Sequence, residues 1–345
     1  MASSARKWIA VTATADFPVN MVSVRRTLKG IAPVKIIRLP FSPLSEAEEM
    51  GLAKALQGAG AMLLRPGYIT ATLLDHLPDL RVVSVHGAGV DQVDVAACTD
   101  RGILVTNAPG ANADAVAELA IGLMLSLVRG IPQSAERVRR DRVWGEARHT
   151  GSELKGKTLG LLGFGQIGRR VARIANAIGM NVRACDPAVP SKAMRDGGAI
   201  PLKLDALLAA SDVVSLHAPH VPSTHHLINR SAIAKMKKGA LLVNTARGPL
   251  IEEAALLRAL KNGRLGGAAL DVLEGEPPDP KSAIFDAPNL IVTPHIAGST
   301  DECLAAIART AAEDIALILQ GKRPKFAVNN PVKNTRRWPK CLKSF

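Results

Sequence analysis

Aromatic residues are scarce in this 345-residue chain: they fill 3% of positions, with a single Tyr and three Trp. A core of ordinary size must therefore be built from Ala, Val, Leu and Ile. Cysteine is equally sparse. Cys98, Cys185, Cys303 and Cys341 lie in dissimilar contexts and include no C-x-x-C pair. That argues against a disulfide framework or a cysteine-based zinc site and fits a reducing, cytoplasmic setting. Long apolar runs are missing too. The charge-free stretch Leu119 to Val128 is too short to cross a bilayer, so no membrane association is expected. The opening MASSARKWIAVTATADF holds no sustained apolar core and no small-residue cleavage site, so no secretory signal is expected.

Acidic residues are outnumbered, 30 against 44 Lys and Arg, leaving a formal net charge of +14. Lys333, Arg336, Arg337, Lys340 and Lys343 crowd the last 13 residues, and ERVRRDRVWGEAR, from Glu136 to Arg148, holds five arginines. Neither stretch is interleaved with aromatics or set in a nucleic-acid-binding motif. No nucleic-acid partner is expected, and general basicity or attraction of an acidic substrate is the preferred meaning of the charge. With 47% hydrophobic and 21% charged residues the chain has the balance of a folded globular protein, long enough for two domains.

Short, continuously apolar runs recur along the first hundred residues: WIAVTAT (8–14), VKIIRL (34–39), AMLLR (61–65), RVVSVH (81–86) and GILVTN (102–107). Continuous rather than alternating hydrophobicity marks strands covered on both faces, as in a parallel sheet. Helical stretches at 45–57, 70–78 and 93–102 separate them. A helix apolar nearly all round follows from about Asn112 to Arg129, a pattern expected to be buried between domains or subunits. The strand–helix alternation then restarts at KTLGLLGFGQIGRRVARIANAIG and continues with strands at 181–186, 212–217, 240–245, 267–272 and 290–294. An amphipathic helix over 300–320 closes the pattern, with Ser299 and Glu302 placed as its capping box. Two successive α/β units are the expected architecture.

The strongest motif is GFGQIG. Gly163, Gly165 and Gly168 follow the strand TLGLL directly and open a helix, and Asp186 ends the next strand, 18 residues past Gly168. The first glycine permits a tight turn, the second lets the backbone approach a pyrophosphate, and the third allows close helix–strand packing. The helix N-terminus offers its free N–H groups to the phosphates. Asp186 can accept hydrogen bonds from both adenosine ribose hydroxyls and would repel a 2′-phosphate. NAD is therefore expected over NADP, and a flavin fits less well.

Ligand-contacting residues in such sheets stand just past the carboxyl ends of the strands. Those positions hold His217, then Thr245, Ala246 and Arg247, then Asp271, then His295 in TPHIAGST, with Glu276 in the loop EGEPP. Reduction of a 2-oxo acid needs a cation for the carboxylate, a proton donor for the carbonyl oxygen and a group that fixes the donor's protonation state. Arg247, His295 and Glu276 match these roles chemically. Glu274 competes with Glu276 for the last role. The cluster HAPHVPSTHH brings His217, His220, His225 and His226 together, yet no neighbouring carboxylate or cysteine completes it, and no metal is expected. His86 reads as a strand-end residue.

Five blocks in this order, GAGVDQVDVAACTDRGILVTNAPGANADAVAELAIGLML, GKTLGLLGFGQIGR, LLVNTARGPLI, ALDVLEGEPP and TPHIAGST, resemble the D-isomer-specific 2-hydroxyacid dehydrogenases, in particular the D-3-phosphoglycerate dehydrogenase branch. The resemblance runs from about Met62 to Gln320. It implies two doubly wound parallel-sheet domains: a Rossmann NAD-binding domain over 108–300, and a flavodoxin-like substrate domain split over 1–107 and 301–332. A basic tail, 333–345, follows. It further implies an active site in the interdomain cleft. A homodimer formed through the long helix near Ala120 is a separate expectation.

Residue by residue, the resemblance assigns Arg247 to the substrate carboxylate and carbonyl and pairs Glu276 with the acid/base His295. It places the backbone of Ala88 and Gly89 on the substrate carboxylate and Asp271 on the nicotinamide carboxamide. Gln166, Ile167, His217, Ala218, Thr245, Ala246 and Gly298 join the three glycines and Asp186 around the dinucleotide. Arg65 matches a phosphate-facing position in phosphoglycerate dehydrogenases and reads equally well as an exposed arginine. The activity expected is hydride transfer between NAD(H) and C2 of a small 2-hydroxy or 2-oxo acid, 3-phosphoglycerate among the candidates. The alternatives are a glyoxylate or hydroxypyruvate reductase, and a NAD-sensing corepressor or scaffold of the same fold. Formate dehydrogenase is disfavoured, because glutamine is expected there in place of Glu276.

Overall fold

A computed structural model describes residues 7–40, 42–142, 144 and 150–331. The basic tail 333–345 and the end of the Arg-rich stretch, Arg148 included, lie outside the described residues. The chain divides into two compact units, residues 1–112 with 299–345, and residues 113–298.

In the first unit β1 (Trp8–Thr12), α1 (Met21–Thr27), β2 (Val34–Ile37), α2 (Glu46–Ala55), β3 (Ala59–Leu64), α3 (Ala71–Asp75), β4 (Val82–Val85), α4 (Val95–Asp100) and β5 (Leu104–Thr106) follow in turn. The strands form one parallel sheet in the order β2-β1-β3-β4-β5, the doubly wound order whose switch point falls between β1 and β3. Every residue of β1, β3, β4 and β5 is buried, which is why their sequences are continuously apolar.

The second unit runs through α5 (Ala113–Arg129), α6 (Ile131–Asp141), β6 (Thr158–Leu162), α7 (Gln166–Ala177), β7 (Asn181–Cys185), α8 (Ser191–Asp196), β8 (Ile200–Pro201), α9 (Leu204–Ala210), β9 (Val213–Leu216), α10 (Arg230–Lys235), β10 (Ala240–Asn244), α11 (Glu253–Lys261), β11 (Leu265–Leu270) and β12 (Leu290–Val292). Its seven parallel strands stand in the order β12-β11-β10-β9-β6-β7-β8. Strand order reverses between β6 and β9, so the glycine loop after β6 opens at the switch point of a Rossmann sheet. Both sheets agree with the expected pair of doubly wound α/β domains.

The last helix, α12 (Asp301–Leu319), belongs to the first unit and packs on α1, β3 and β4. Its buried stripe of Ile307, Ala308, Ala311, Ala312, Ile315 and Ile318 joins the core formed with Ile9, Val11, Leu63 and Val82. Ser84 Oγ donates to the Ala311 carbonyl at 3.2 Å and accepts from Thr106 Oγ1 at 2.8 Å, fixing the helix against two strands.

Three details depart from the sequence reading. The cap of α12 is Thr300, whose hydroxyl accepts from Cys303 N at 3.2 Å, so the Ser299–Glu302 box does not form. Thr300 is itself a capping residue, one position closer to the amide that needs an acceptor. A capping box forms instead on α2, between Ser45 and Glu48. β11 begins two residues early, because the pairing with β10 slips between Ala240 and Leu241 and leaves Gly266 over as a bulge. Finally, α5 is buried within its own unit, against α7, β10 and β11, with Ala117, Ala120 and Met124 fully enclosed. Among the described residues, no single helix is long and apolar enough to cross a membrane.

Asp314 ties the end of the first unit together. Fully buried on α12, it accepts from Lys325 N at 2.6 Å and Phe326 N at 3.2 Å, and desolvation raises its pKa. Asp314→Ala would strand both amides, at about 1–3 kcal/mol for each buried donor left unpaired. Urea denaturation is expected to show a lower midpoint with an unchanged slope.

Candidate active site

The loop after β6 owes its shape to three glycines with three different constraints. Gly163 has φ 99°, and a Cβ there would lie 2.5 Å from the His217 carbonyl and 2.7 Å from Ala218 N, so only glycine fits. A Cβ on Gly168 would run into the Gly163 carbonyl oxygen, which sets how closely α7 approaches β6. Gly165 differs: the space where its Cβ would project is open to beyond 4 Å. It caps α7 without a side-chain hydrogen bond, so the helix presents uncapped N–H groups beneath that open space.

Asp186, just past β7, accepts from Phe164 N at 2.8 Å through Oδ2 and from Ala188 N at 2.9 Å through Oδ1. Its carboxylate is thereby fixed at the end of the strand beside the glycine loop. Gln166 is exposed and Ile167 half-buried in the first turn of α7. At the ends of β9 and β10 two buried polar atoms have no partner, His217 Nδ1 and Thr245 Oγ1. His217 Nε2 is engaged by Ser215 Oγ at 2.9 Å, and burial pushes the imidazole pKa down to about 4, so the ring is neutral. Ala218 follows it, and Ala246 N donates to Asn244 Oδ1 at 2.9 Å. Uncapped helix amides, open space over one glycine and two orphaned polar atoms on adjoining strands fit a dinucleotide.

A second constellation occupies the ends of β10, β11 and β12. Asp271, 1% exposed, accepts from Thr293 Oγ1 (2.6 Å) and Ile296 N (2.9 Å) through Oδ1, and from Ala297 N (2.8 Å) through Oδ2. Gly298 completes that turn. His295 stands within it at φ 53°, a left-handed conformation that costs a residue with a Cβ about 1–2 kcal/mol. Hydrogen bonds from its N to the carbonyls of Asp271 (2.9 Å) and Thr293 (3.0 Å) hold it there.

The ring of His295 meets Glu276: Nδ1 and Oε2 are 2.7 Å apart. Glu276 is fixed in turn, because Oε1 accepts from Leu273 N at 3.0 Å. This hydrogen bond raises the His295 pKa above its ordinary value against the opposing effect of desolvation. The Glu276 and Asp271 charges raise it further, and Arg247 lowers it. A raised folded pKa means that the pairing contributes stability fully below about 6.5 and loses it as pH rises through the folded value. Arg247 precedes the 3₁₀ turn Gly248–Leu250, its Nη1 donating to the Ala246 carbonyl at 2.6 Å while its own carbonyl accepts from Asn244 Nδ2 at 2.8 Å.

Of the two glutamates in EGEPP, Glu276 reaches His295 and Glu274 turns away to His226, with Oε1 2.7 Å from Nε2. This corrects one premise of the sequence reading. A carboxylate does approach the histidine cluster, supplied by the loop after β11, 48 positions along the chain from His226.

The remaining predicted residues belong to the first unit. Arg65 follows β3 at the switch point, where its N–H donates to Thr12 Oγ1 at 2.9 Å. Its Nη1 lies 3.0 Å from His86 Nδ1. A guanidinium only donates, so Nδ1 accepts and the His86 proton sits on Nε2. Burial, reinforced by the Arg65 charge, drives the His86 pKa down to about 3, which keeps that ring neutral. Arg65 Nε and His86 Nε2 are buried without a partner. Ala88 and Gly89 follow β4 in the same unit, and Asn107 Nδ2 donates to the Ala88 carbonyl at 2.5 Å. The sequence signal for the Arg65–His86 pair was two polar residues ending adjacent strands; Thr293 gave no signal.

Comparisons with known proteins bear on both units. The model of the D-isomer specific 2-hydroxyacid dehydrogenase NAD-binding domain matches residues 121–297, naming the cofactor that the glycine loop predicts. The chain is 41% identical over 282 residues to a D-3-phosphoglycerate dehydrogenase of Methanocaldococcus jannaschii, a match that covers 81% of this chain and 53% of that protein. It thus spans about half the length of these curated phosphoglycerate dehydrogenases. A glyoxylate reductase of Thermofilum pendens is 39% identical over 279 residues, with 78% of this chain and 80% of that protein covered. The structure of a D-lactate dehydrogenase from Escherichia coli superposes with a TM-score of 0.81 at 30% identity, over 93% of this chain and 99% of that one. Agreement of the family model over the glycine loop and the strands that follow it, and of relatives along most of the chain, has one reading: the chain belongs to the D-isomer specific 2-hydroxyacid dehydrogenases.

Proposed function

We propose that the protein interconverts a small 2-oxo acid and its D-2-hydroxy acid with NAD(H). The observation that carries the reading is the 2.7 Å bond between His295 and Glu276 at the strand edge that also bears Arg247. Bound NAD(H) supplies or accepts the hydride at C2. In reduction, protonated His295 donates to the carbonyl oxygen from Nε2, the nitrogen that Glu276 leaves free. Glu276 fixes the ring and stabilises its charge. Arg247 binds the substrate carboxylate as a charge-assisted donor. In oxidation, neutral His295 takes the hydroxyl proton. Asp271 holds the turn that positions His295, and the orphaned His217 Nδ1 and Thr245 Oγ1 are offered to the dinucleotide.

For substrate, relatives named D-3-phosphoglycerate dehydrogenase, glyoxylate reductase and hydroxypyruvate reductase mark out the range. Arg65 favours the phosphorylated member. Its guanidinium is steadied by a neutral histidine rather than a carboxylate, which leaves its charge uncompensated for an incoming anion. A homodimer is the proposed assembly. Ala120 is enclosed in the chain's own core and is not available for it. α6, none of whose residues is buried, and the exposed Leu125 of α5 offer the surface instead.

Four measurements check these assignments. Reduction requires protonated His295, so Glu276→Gln, by removing the group that raises its pKa, should move the alkaline limb of kcat/KM to lower pH. His295→Asn should lower kcat by about 10²–10⁴-fold at all pH values, the usual worth of a general acid. Initial rates across phosphohydroxypyruvate, hydroxypyruvate, glyoxylate and pyruvate should favour the phosphorylated acid and NADH. Arg65→Leu should abolish that preference, and equal rates in the unaltered protein would refute the role of Arg65. A rate higher with NADPH would refute that of Asp186, and turnover no better than His295→Asn on every acid would favour the scaffold reading. Light scattering should return the mass of two chains, and a monomer would exclude the dimer.

A further inference from the structure

Apart from the residues of hydride transfer, the second unit gathers three imidazoles and one carboxylate on its surface. His220, His225 and His226 lie in the loop between β9 and α10, and Glu274 lies in the loop after β11. His226 Nε2 is 2.7 Å from Glu274 Oε1. The rings of His225 and His226 stack with centroids 3.9 Å apart and planes 21° apart. His220 Nε2 then meets His225 Nδ1 at 3.2 Å. One ligand atom from each of His225, His226 and Glu274 falls within 4.8 Å of the other two.

A surface ion pair accounts for only one of these imidazoles. The His225–His226 stack and the His220–His225 contact lie outside that pair. The backbone supports the cluster at a cost. His226 has φ 50°, a left-handed conformation unfavourable for histidine, and a hydrogen bond from its N to the Pro249 carbonyl at 2.9 Å holds it. Thr224 clamps the same loop, its Oγ1 accepting from Val221 N at 2.9 Å and donating to the Pro219 carbonyl at 2.7 Å.

We propose that His225, His226 and Glu274 form a binding site for a divalent transition-metal ion of the zinc type, with His220 orienting the His225 ring. Two imidazoles and one carboxylate are a recognised zinc ligand set, and water fills the fourth position. Imidazole nitrogen selects such an ion over Mg²⁺ or Ca²⁺, which require oxygen ligands. At zinc–ligand bonds of about 2.0–2.1 Å, tetrahedral ligand atoms stand about 3.3 Å apart. The His226–Glu274 pair therefore opens by about half an ångström, within the freedom of an exposed glutamate. His220 acts as the outer hydrogen-bond partner that fixes a ligating ring. The ion would join two loops, one of which carries Glu276 two residues beyond Glu274.

The test is titration of the metal-stripped full chain with Zn²⁺ in competition with a chromophoric chelator. One equivalent should bind per chain. Glu274→Gln and His226→Gln should each weaken binding at least tenfold, while His76→Ala, a histidine in the other unit, should leave it unchanged. Zn²⁺ should also raise Tm in the unaltered protein and not in Glu274→Gln. X-ray absorption of the zinc-loaded unaltered chain should show imidazole and oxygen ligands only, a readout independent of how the variants fold. No stoichiometric binding, undiminished binding in both variants, sulfur in the coordination shell, or tighter binding of Mg²⁺ than of Zn²⁺ would each overturn the proposal.

Discussion

A single inaccessible carboxylate holds the candidate catalytic edge of the second unit in shape. Asp271 directly follows β11 and accepts three hydrogen bonds from the turn that follows β12, one from a hydroxyl and two from backbone amides. A buried carboxylate is tolerated only when donors compensate its lost hydration, and here the compensation and the positioning are the same contacts. With the turn fixed, His295 can occupy a left-handed backbone that a freely moving segment would abandon. Its ring then meets Glu276, which is fastened by the Leu273 amide. Gly248 completes the arrangement. A Cβ there would overlap the Leu273 carbonyl, so the turn after Arg247 and the segment leading to Glu276 pack backbone against backbone. The cation, the carboxylate and the imidazole thus stand on three strand ends that constrain one another.

The second unit divides its polar groups into two kinds. Asp271, Asp186 and Asn244 spend their hydrogen-bonding capacity on backbone groups, and Asp271 on one hydroxyl besides, and hold loops in place. His217 Nδ1 and Thr245 Oγ1 remain unspent although buried, an expensive condition for a protein to retain without a ligand. The first unit repeats the pattern at its own switch point, where Arg65 Nε and His86 Nε2 are buried and unpaired. Burial keeps His86 neutral, and a neutral acceptor steadies a guanidinium without cancelling its charge. An Asp at position 86 would form a stronger pair with Arg65 and cancel its charge.

Much of this was legible in the chain. Continuous apolar runs located the strands because both faces of each sheet are covered. The glycine spacing marked this loop because Gly163 and Gly168 answer distinct steric demands, while Gly165 leaves open space over the start of α7. Arg247, Asp271 and His295 were found from position alone, as the residues that end neighbouring strands. Less legible were features that depend on contacts between distant segments. α1 is a short helix held by its Asn20 cap and has too few apolar residues to show a period. The bulge at Gly266 reflects pairing register, which no local pattern records. Whether Glu274 or Glu276 faces His295 depends on the path of the loop after β11, and the same path brings Glu274 to His226. The histidine cluster lacked a carboxylate in the sequence only because the carboxylate comes from another loop.

The central claim is that Glu276 holds His295 as the proton-carrying group at the strand edge. Nuclear magnetic resonance titration of the His295 imidazole in the resting protein tests it without recourse to turnover. The account predicts a His295 pKa above the ordinary value near 6.5, with Nδ1 protonated toward Glu276 across the titration, and a fall in that pKa in Glu276→Gln. A His295 that titrates at or below the ordinary value in the unaltered protein, or one indifferent to Glu276→Gln, would contradict it.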